Sequence, residues 1–272
     1  MNEHINQILL CDCVEGMGRL HDNCIPLTVT SPPYDTMREY GGHTFDFEAV
    51  ADALFRITMP GGVVAWVVQD QIENGSETST SFKQALYFKT VGFNLHSTMI
   101  MISNGGKLPH RIRYAPVHHY AFILSKGRPR SINLIRDRRN KNAGQEYRWH
   151  VRRPDGHTVK KKDSPQITPP FGERNNVWHY DVGFNQTTKD KKAFDHPALM
   201  SEMMAEDHII SWSRPGDLVF DPFSGAGTTC KMALLNDRRY LGMEIHEPYY
   251  DLSIERLESA REEHKQRLDE FF

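Results

Sequence analysis

Two short stretches of this 272-residue chain carry residue types that could do chemistry, and they lie far apart. The first is Ser31-Pro32-Pro33-Tyr34. It follows the apolar run Ile25–Thr30, where two prolines that cannot donate to a sheet ladder end the strand and leave a stiff, extended backbone. Taken alone, this is most economically a strand stop with an aromatic lid. The second is Asp221-Pro222-Phe223-Ser224-Gly225-Ala226-Gly227-Thr228-Thr229. Gly225 and Gly227 permit positive φ and close approach of the backbone to a ligand lying over a strand's carboxyl end. The loop has no GK[ST] and so is not a Walker loop, and Cys230 stands where GxGxxG would place its third glycine. Glu244, 17 residues past Gly227, ends the next apolar run, where a carboxylate can accept from both hydroxyls of a ribose. A helix-capping acid is the structural alternative for Glu244. Asp221 and Glu244 together point to a nucleoside cofactor, and with no basic residue ahead of the loop a pyrophosphate is not demanded.

The elements that must position these residues follow an alternating pattern. Val50, Ala53, Leu54 and Ile57 fall at helical spacing before Pro60-Gly61-Gly62, and VVAWVVQ follows as a buried strand. SFKQALYFKTVGF repeats the helix pattern, and NLHSTMIMIS and VHHYAFILSK read as strands. Periodicity returns with HPALMSEMMAEDHIISWS as a helix, then Leu218–Phe220 as a strand, a helix from Thr228, RRYLGMEI as a strand and a long charged helix. Such alternation predicts an α/β layer with a largely parallel sheet. Between Gly127 and Asp195 the pattern dissolves into Pro, Gly and cations with aromatics interleaved, which suggests an inserted module. Tyr147, Trp149, Phe171 and Trp178 are expected to form a small core there, and His118 and His119 to be strand residues.

The net charge of −2 conceals a strong asymmetry. Residues 107–192 hold 20 Lys+Arg against 7 Asp+Glu, so the rest of the chain is markedly acidic. Charge segregation of this kind suits one region meeting a phosphate backbone, with a solvated basic loop as the plain alternative. Cys11, Cys13, Cys24 and Cys230 form no CxxC pair, so free thiols are expected and neither a disulfide framework nor a metal site is supported. No apolar run approaches the roughly 18 residues of a membrane span, and the start of the chain lacks the pattern of a signal peptide, which predicts a cytoplasmic protein with no membrane partner.

SPPY after one strand and DPFSGAGTT after another resemble the two signature motifs of DNA amino-methyltransferases, which use S-adenosylmethionine to methylate cytosine N4 or adenine N6. ILLCDCVEGM, HPALM and NVWHYDVG resemble further segments of that family, so the resemblance covers almost the whole chain. Its HP segment departs from the family in lacking a second proline. The resemblance implies an α/β fold with the Rossmann-like sheet of an S-adenosylmethionine-dependent methyltransferase, the circularly permuted motif order of the β group, and an inserted basic target-recognition region. Residues 1–126 and 195–272 would form the catalytic domain and 127–194 the recognition region. Cofactor contacts would come from Asp12 and Cys13 near the adenine, from Asp221, Phe223, Ser224, Gly225, Gly227, Thr228 and Thr229, and from Glu244 at the ribose.

Catalysis would then fall to Ser31, Pro32, Pro33 and Tyr34. An exocyclic amine is a poor nucleophile because its lone pair is delocalised into the base. Acceptors at its N–H groups, Ser31 Oγ and the Pro32 carbonyl, would localise that lone pair toward the methyl group, with Pro33 holding shape. Tyr34 would stack on a base flipped from double-stranded DNA. Serine at position 31 is commoner among cytosine-N4 enzymes than adenine enzymes, which favours cytosine and keeps adenine as the alternative. Lys107, Arg111, Arg113, Arg136, Arg138, Arg139, Lys160, Lys161 and Lys162 are the candidate DNA contacts, most of them to phosphate or simply solvated. A homodimer and a cognate restriction endonuclease are left open as partners. A protein amide methyltransferase and a DNA-binding module with a vestigial pocket are the rival readings. The motif order and the basic insert count against the former, and the intact motifs against the latter.

Overall fold

A computed structural model of the chain describes residues 5–34, 45–104, 112–147, 150–160 and 166–270. In chain order the first half comprises β1 (Gln7–Leu10), α1 (Cys13–Gly18), β2 (Ile25–Thr30), α2 (Phe47–Ile57), β3 (Thr58–Val68), the hairpin β4 (Ile72–Glu73) and β5 (Ser76–Glu77), α3 (Thr80–Val91), β6 (Asn94–Ser103) and β7 (His118–Ser125). Six short strands follow: β8 (Arg138–Arg139), β9 (Glu146–Tyr147), β10 (His150–Arg152), β11 (Thr158–Lys160), β12 (Gln166–Ile167) and β13 (Phe171–Gly172). The chain then forms β14 (Val177–Tyr180), α4 (Glu202–Trp212), β15 (Leu218–Asp221), α5 (Thr228–Leu235), β16 (Arg239–Glu244) and α6 (Glu247–Glu270).

Eight strands make one sheet in the order β1-β16-β15-β2-β3-β7-β6-β14. Only β7 runs against the others, pairing antiparallel with β3 and β6. Every residue of β2 is buried, as befits a central strand covered on both faces. On one face, Trp66, Phe220, Leu241 and Met243 join Leu54, Ile57 and Phe88 from α2 and α3 in a single apolar cluster. The other face receives α5 and α6 at very close range. A Cβ on Gly242 would meet Cys230 Sγ at 2.9 Å, and one on Gly227 would meet Ser253 Cβ at 3.0 Å. All four cysteines are free thiols. Among the described residues, no helix is long and apolar enough to cross a membrane.

Three local differences from the sequence expectation have clear causes. Pro60-Gly61-Gly62 does not keep β3 from starting at Thr58. The register between β2 and β3 shifts there, and Gly61, at φ 78°, donates its N–H to the Lys126 carbonyl at 2.7 Å, which carries the strand through the irregularity. The HPALM segment is not part of α4. Ser201, at φ −63° and ψ 133°, is the N-cap, so residues 196–201 run ahead of the helix. Finally, the compact units are Met1–Asn133 with Asn176–Phe272, and Leu134–Asn175. The second unit is shorter than 127–194 because β14 pairs in parallel with β6 in the main sheet, Trp178 opposite Met101. Trp178 is therefore a buried residue of the large unit, packed on His208 with ring centroids 5.1 Å apart, while Phe171 is 44% exposed in the small one. Trp149 lies outside the described residues.

Candidate active site

Strands β15 and β2 are adjacent and parallel, with Val219 opposite Leu27 and Phe220 opposite Thr28. Their carboxyl ends, Asp221 and Thr30, thus emerge side by side, although 191 residues separate them in sequence. Thr30 Oγ1 donates to Asp221 Oδ1 at 2.6 Å, and the same oxygen accepts the Phe223 N–H at 3.1 Å. Thr229 Oγ1 donates to the Val29 carbonyl at 3.2 Å. Burial pushes the Asp221 carboxyl up to about 6, against the pull of hydrogen bonds from Thr30, Phe223 and Thr229. These bonds lock the Ser31–Tyr34 turn to the glycine loop. Thr30 escaped sequence reasoning; its only signal was a hydroxyl at the last position of an apolar strand.

Above this junction lies a cavity of about 390 Å³, within the usual range of cofactor and ligand sites. Ser31, Pro32, Pro33 and Tyr34 form one wall. Asp12, Cys13, Asp221, Phe223, Ser224, Gly225, Thr228, Thr229 and Glu244 line the rest, so every sequence-derived cofactor candidate except Gly227 reaches it. Gly227 is the N-cap of α5, where φ 73° and the contact with Ser253 require glycine. Gly225, at φ 49°, has its own constraint, since a Cβ there would meet His196 Nε2 at 2.8 Å.

The acids are held in fixed orientations. Glu244 Oε2 accepts the Gly225 N–H at 2.7 Å and Oε1 accepts the His246 N–H at 2.9 Å. Asp12 caps α1 through Oδ1, which takes the Val14 and Glu15 N–H groups at 2.8 and 3.0 Å. Burial, with Asp12 adjacent, pushes the Cys13 thiol up to about 12, so it is a neutral apolar wall rather than a nucleophile. Ser31 Oγ and Tyr34 Oη share a hydrogen bond of 2.7 Å, and the Tyr34 ring leans on His119 with centroids 5.9 Å apart. No lysine or arginine lines the cavity among the described residues; three carboxylates and the rings of Tyr34, Phe45, Phe223 and Tyr249 do. Such a lining suits a cationic, phosphate-free ligand with an aromatic part.

Two features of the site were not apparent in the sequence. Residues His196 to Ser201 form a wall of the cavity instead of a helix. His196 Nδ1 accepts the Ala198 N–H at 3.2 Å, and burial lowers its pKa to about 4, so the ring is neutral and carries its proton on Nε2 toward the glycine loop. Behind that wall, the buried Arg256 ties three segments together. It donates to the Ala226 carbonyl, to Thr228 Oγ1 at 3.2 Å, to Asp190 Oδ2 at 2.8 Å and to Glu202 Oε1 at 3.0 Å. Lys231 Nζ and Thr188 Oγ1 converge on the same Glu202 oxygen at 2.7 and 2.8 Å. The glycine loop is thereby braced from below by a fully partnered charge network.

The candidate DNA contacts are dispersed. Lys107, Arg111, Lys161, Lys162 and the Lys160 side chain lie outside the described residues. Arg113 donates to the Gly75 carbonyl at 2.6 Å. Arg136 pairs with Glu173 at 3.0 Å, Arg138 Nε donates to the Glu173 carbonyl at 3.0 Å, and Arg139 lies over Phe171 at 5.9 Å. Each of these arginines has an internal contact, which sequence composition could not reveal.

A family model described as DNA methylase matches residues 25–255, which includes both motif-bearing strand ends and the segments between. The orphan methyltransferase M.BamHII of Bacillus amyloliquefaciens is 50% identical over 240 residues, spanning 88% of this chain and 90% of that protein. The chain belongs to the DNA methylase family. This methyltransferase is also 23% identical to the type II methyltransferase M.BglII of Bacillus subtilis, over 96% of its own length and 71% of the relative's. Its fold matches that of PvuII DNA methyltransferase (cytosine-N4-specific) with a TM-score of 0.65 at 18% identity, covering 97% of this chain and 92% of the other. A DNA modification methylase of Thermus thermophilus, TTHA0409, complexed with S-adenosyl-L-methionine, matches with a TM-score of 0.59 at 22% identity, covering 92% and 94% of the two chains.

Proposed function

We propose that this methyltransferase transfers a methyl group from S-adenosylmethionine to the exocyclic N4 of a cytosine flipped out of double-stranded DNA, with its motifs in permuted order. The observation that carries this reading is one cavity walled by both the Ser31–Tyr34 turn and the Asp221–Thr229 loop, acidic and aromatic, with no cation among its described lining residues. S-adenosylmethionine supplies, when bound, an activated methyl group on a cationic sulfonium, together with a phosphate-free adenosine. Glu244 is suited to the ribose, since each carboxylate oxygen, having accepted one backbone N–H, retains acceptor capacity. Asp12, with Oδ1 committed to the helix cap, and the apolar Cys13 thiol are suited to the adenine end.

The remaining work falls to the turn. Ser31 Oγ can accept an amine N–H whichever of Ser31 and Tyr34 donates in their shared bond. The Pro32 carbonyl is a second acceptor, and Pro32 and Pro33 keep both in place without donors of their own. Tyr34 offers a ring face for the flipped base. Serine at position 31 favours cytosine, and the structural neighbour named cytosine-N4-specific supports it. Arg113, Arg136, Arg138 and Arg139, with Lys107, Arg111 and Lys160–Lys162, are assigned to the duplex, chiefly its phosphates. Nucleoside analysis of duplex DNA methylated in vitro tests the reading. N4-methylcytosine is expected, and N6-methyladenine as the sole product would overturn the base assignment.

A further inference from the structure

The cavity rim carries an aromatic side chain that neither the cofactor nor the flipped base accounts for. Tyr114 is 99% exposed, and its neighbour Ile112 is 84% exposed. Both lie between β6 and β7, whose facing ends are walls of the cavity, Ser103 on one side and His119 on the other. The base of this connection is fixed. The Val117 carbonyl accepts both the Ser103 N–H at 2.9 Å and the Ser103 hydroxyl at 3.3 Å, and the His118 carbonyl accepts from the cavity residue Gln69 at 2.8 Å. Pro116 holds Ala115 extended, and Arg113 is tethered to the β4–β5 hairpin through the Gly75 carbonyl at 2.6 Å. Three residues of chain separate Tyr114 from Val117, so its Cα stands within roughly 10 Å of the cavity wall. A tyrosine projected into water from a tethered loop, beside Arg113 and following Lys107 and Arg111 in sequence, combines an aromatic plane with charges that attract phosphate.

Building on the base-flipping reading above, we infer that Tyr114 enters the duplex where the target base leaves it and stacks in the vacated space. The charge of the segment selects a nucleic-acid duplex as the occupant, and attachment to both cavity-wall strands places the ring beside the flipped base. Tyr34 and Tyr114 then have separate tasks: one holds the base inside the cavity, and the other holds the gap open outside it.

The recognition sequence, read from DNA that the wild-type enzyme has methylated, supplies two synthetic duplexes. They are identical except that one is abasic opposite the target, which makes flipping cheap. Wild type, Tyr114→Ala and Tyr114→Phe are compared for kcat/KM on both and for affinity toward S-adenosylmethionine. Tyr114→Ala is expected to lose roughly 5- to 150-fold on the paired duplex and to recover most of it on the abasic one. Tyr114→Phe should match wild type, and cofactor affinity should not change. No loss on the paired duplex, an equal loss on both duplexes, or a Phe variant as poor as Ala would each overturn the inference. A wild-type enzyme that methylates no DNA would instead overturn the reading beneath it.

Discussion

Replacing Glu244 by Gln tests how the acidic end of the cavity is built. In the native site each carboxylate oxygen accepts one backbone N–H, from Gly225 at 2.7 Å and from His246 at 2.9 Å. An amide has one oxygen and one NH2, so one of those N–H groups must face a donor. Leaving a buried donor unsatisfied costs about 1–3 kcal/mol, and exchanging a ribose acceptor for a donor removes a charge-assisted bond of about 1.5–3 kcal/mol. The two penalties fall on different measurements. The first should lower the unfolding free energy of the ligand-free protein by about 1–3 kcal/mol; the second should raise the calorimetric Kd for S-adenosylmethionine by at least about tenfold beyond that. If the Gln variant bound the cofactor as tightly as wild type while its stability fell, Glu244 would be only a brace for the glycine loop. If neither changed, the geometry of this end of the cavity would be misread.

Other perturbations probe the remaining parts. Thr30→Val keeps the shape of the strand end but removes the 2.6 Å bond to Asp221, so chemical denaturation should show a loss of about 1–3 kcal/mol, with methyl transfer falling alongside. Tyr34→Ala should lower turnover on duplex DNA at least about tenfold through lost stacking while leaving cofactor affinity intact, and unchanged turnover would remove Tyr34 from the site. His208 is fully buried, which lowers its pKa from 6.5 to about 4. Between those values the unfolded chain binds the proton and the native one does not, so stability falls as pH drops through that window, by about 2 kcal/mol at pH 5 for this group. His196 acts in the same direction, and Asp221, raised to about 6, opposes both between pH 3.8 and 6. Urea unfolding of wild type and His208→Leu at pH 7 and pH 5 isolates the His208 share, and equal pH dependence in the two proteins would refute it.

Much of the site was legible because its signals are local. Pro32 and Pro33 mark the end of a strand whatever surrounds them, and Gly225, Gly227 and Glu244 fall on one strand–loop–helix–strand unit. The bond from Thr30 to Asp221 was not legible, since nothing short of the strand order places β2 beside β15. Arg256 was equally hidden, because it reads as one more charge on a polar helix until the fold buries it beneath the Ala226 carbonyl. The apolar spacing of HPALMSEMM imitates a helix that Pro197 and the extended Ser201 postpone by six residues. Basic composition ran unbroken past β14, a four-residue strand too short to declare itself by periodicity, which is why the compact inserted unit proved smaller than the charged window.

The central claim is that the cavity joining the two motifs methylates duplex DNA. Transfer of labelled methyl from S-adenosylmethionine, offered in parallel to duplex DNA, RNA and protein and compared between wild type and Tyr34→Ala, tests it most directly. Label is predicted in duplex DNA alone, and lost from it in the variant whose cofactor affinity is retained. Label in protein or RNA instead of DNA, or equal labelling of DNA by both enzymes, would contradict it.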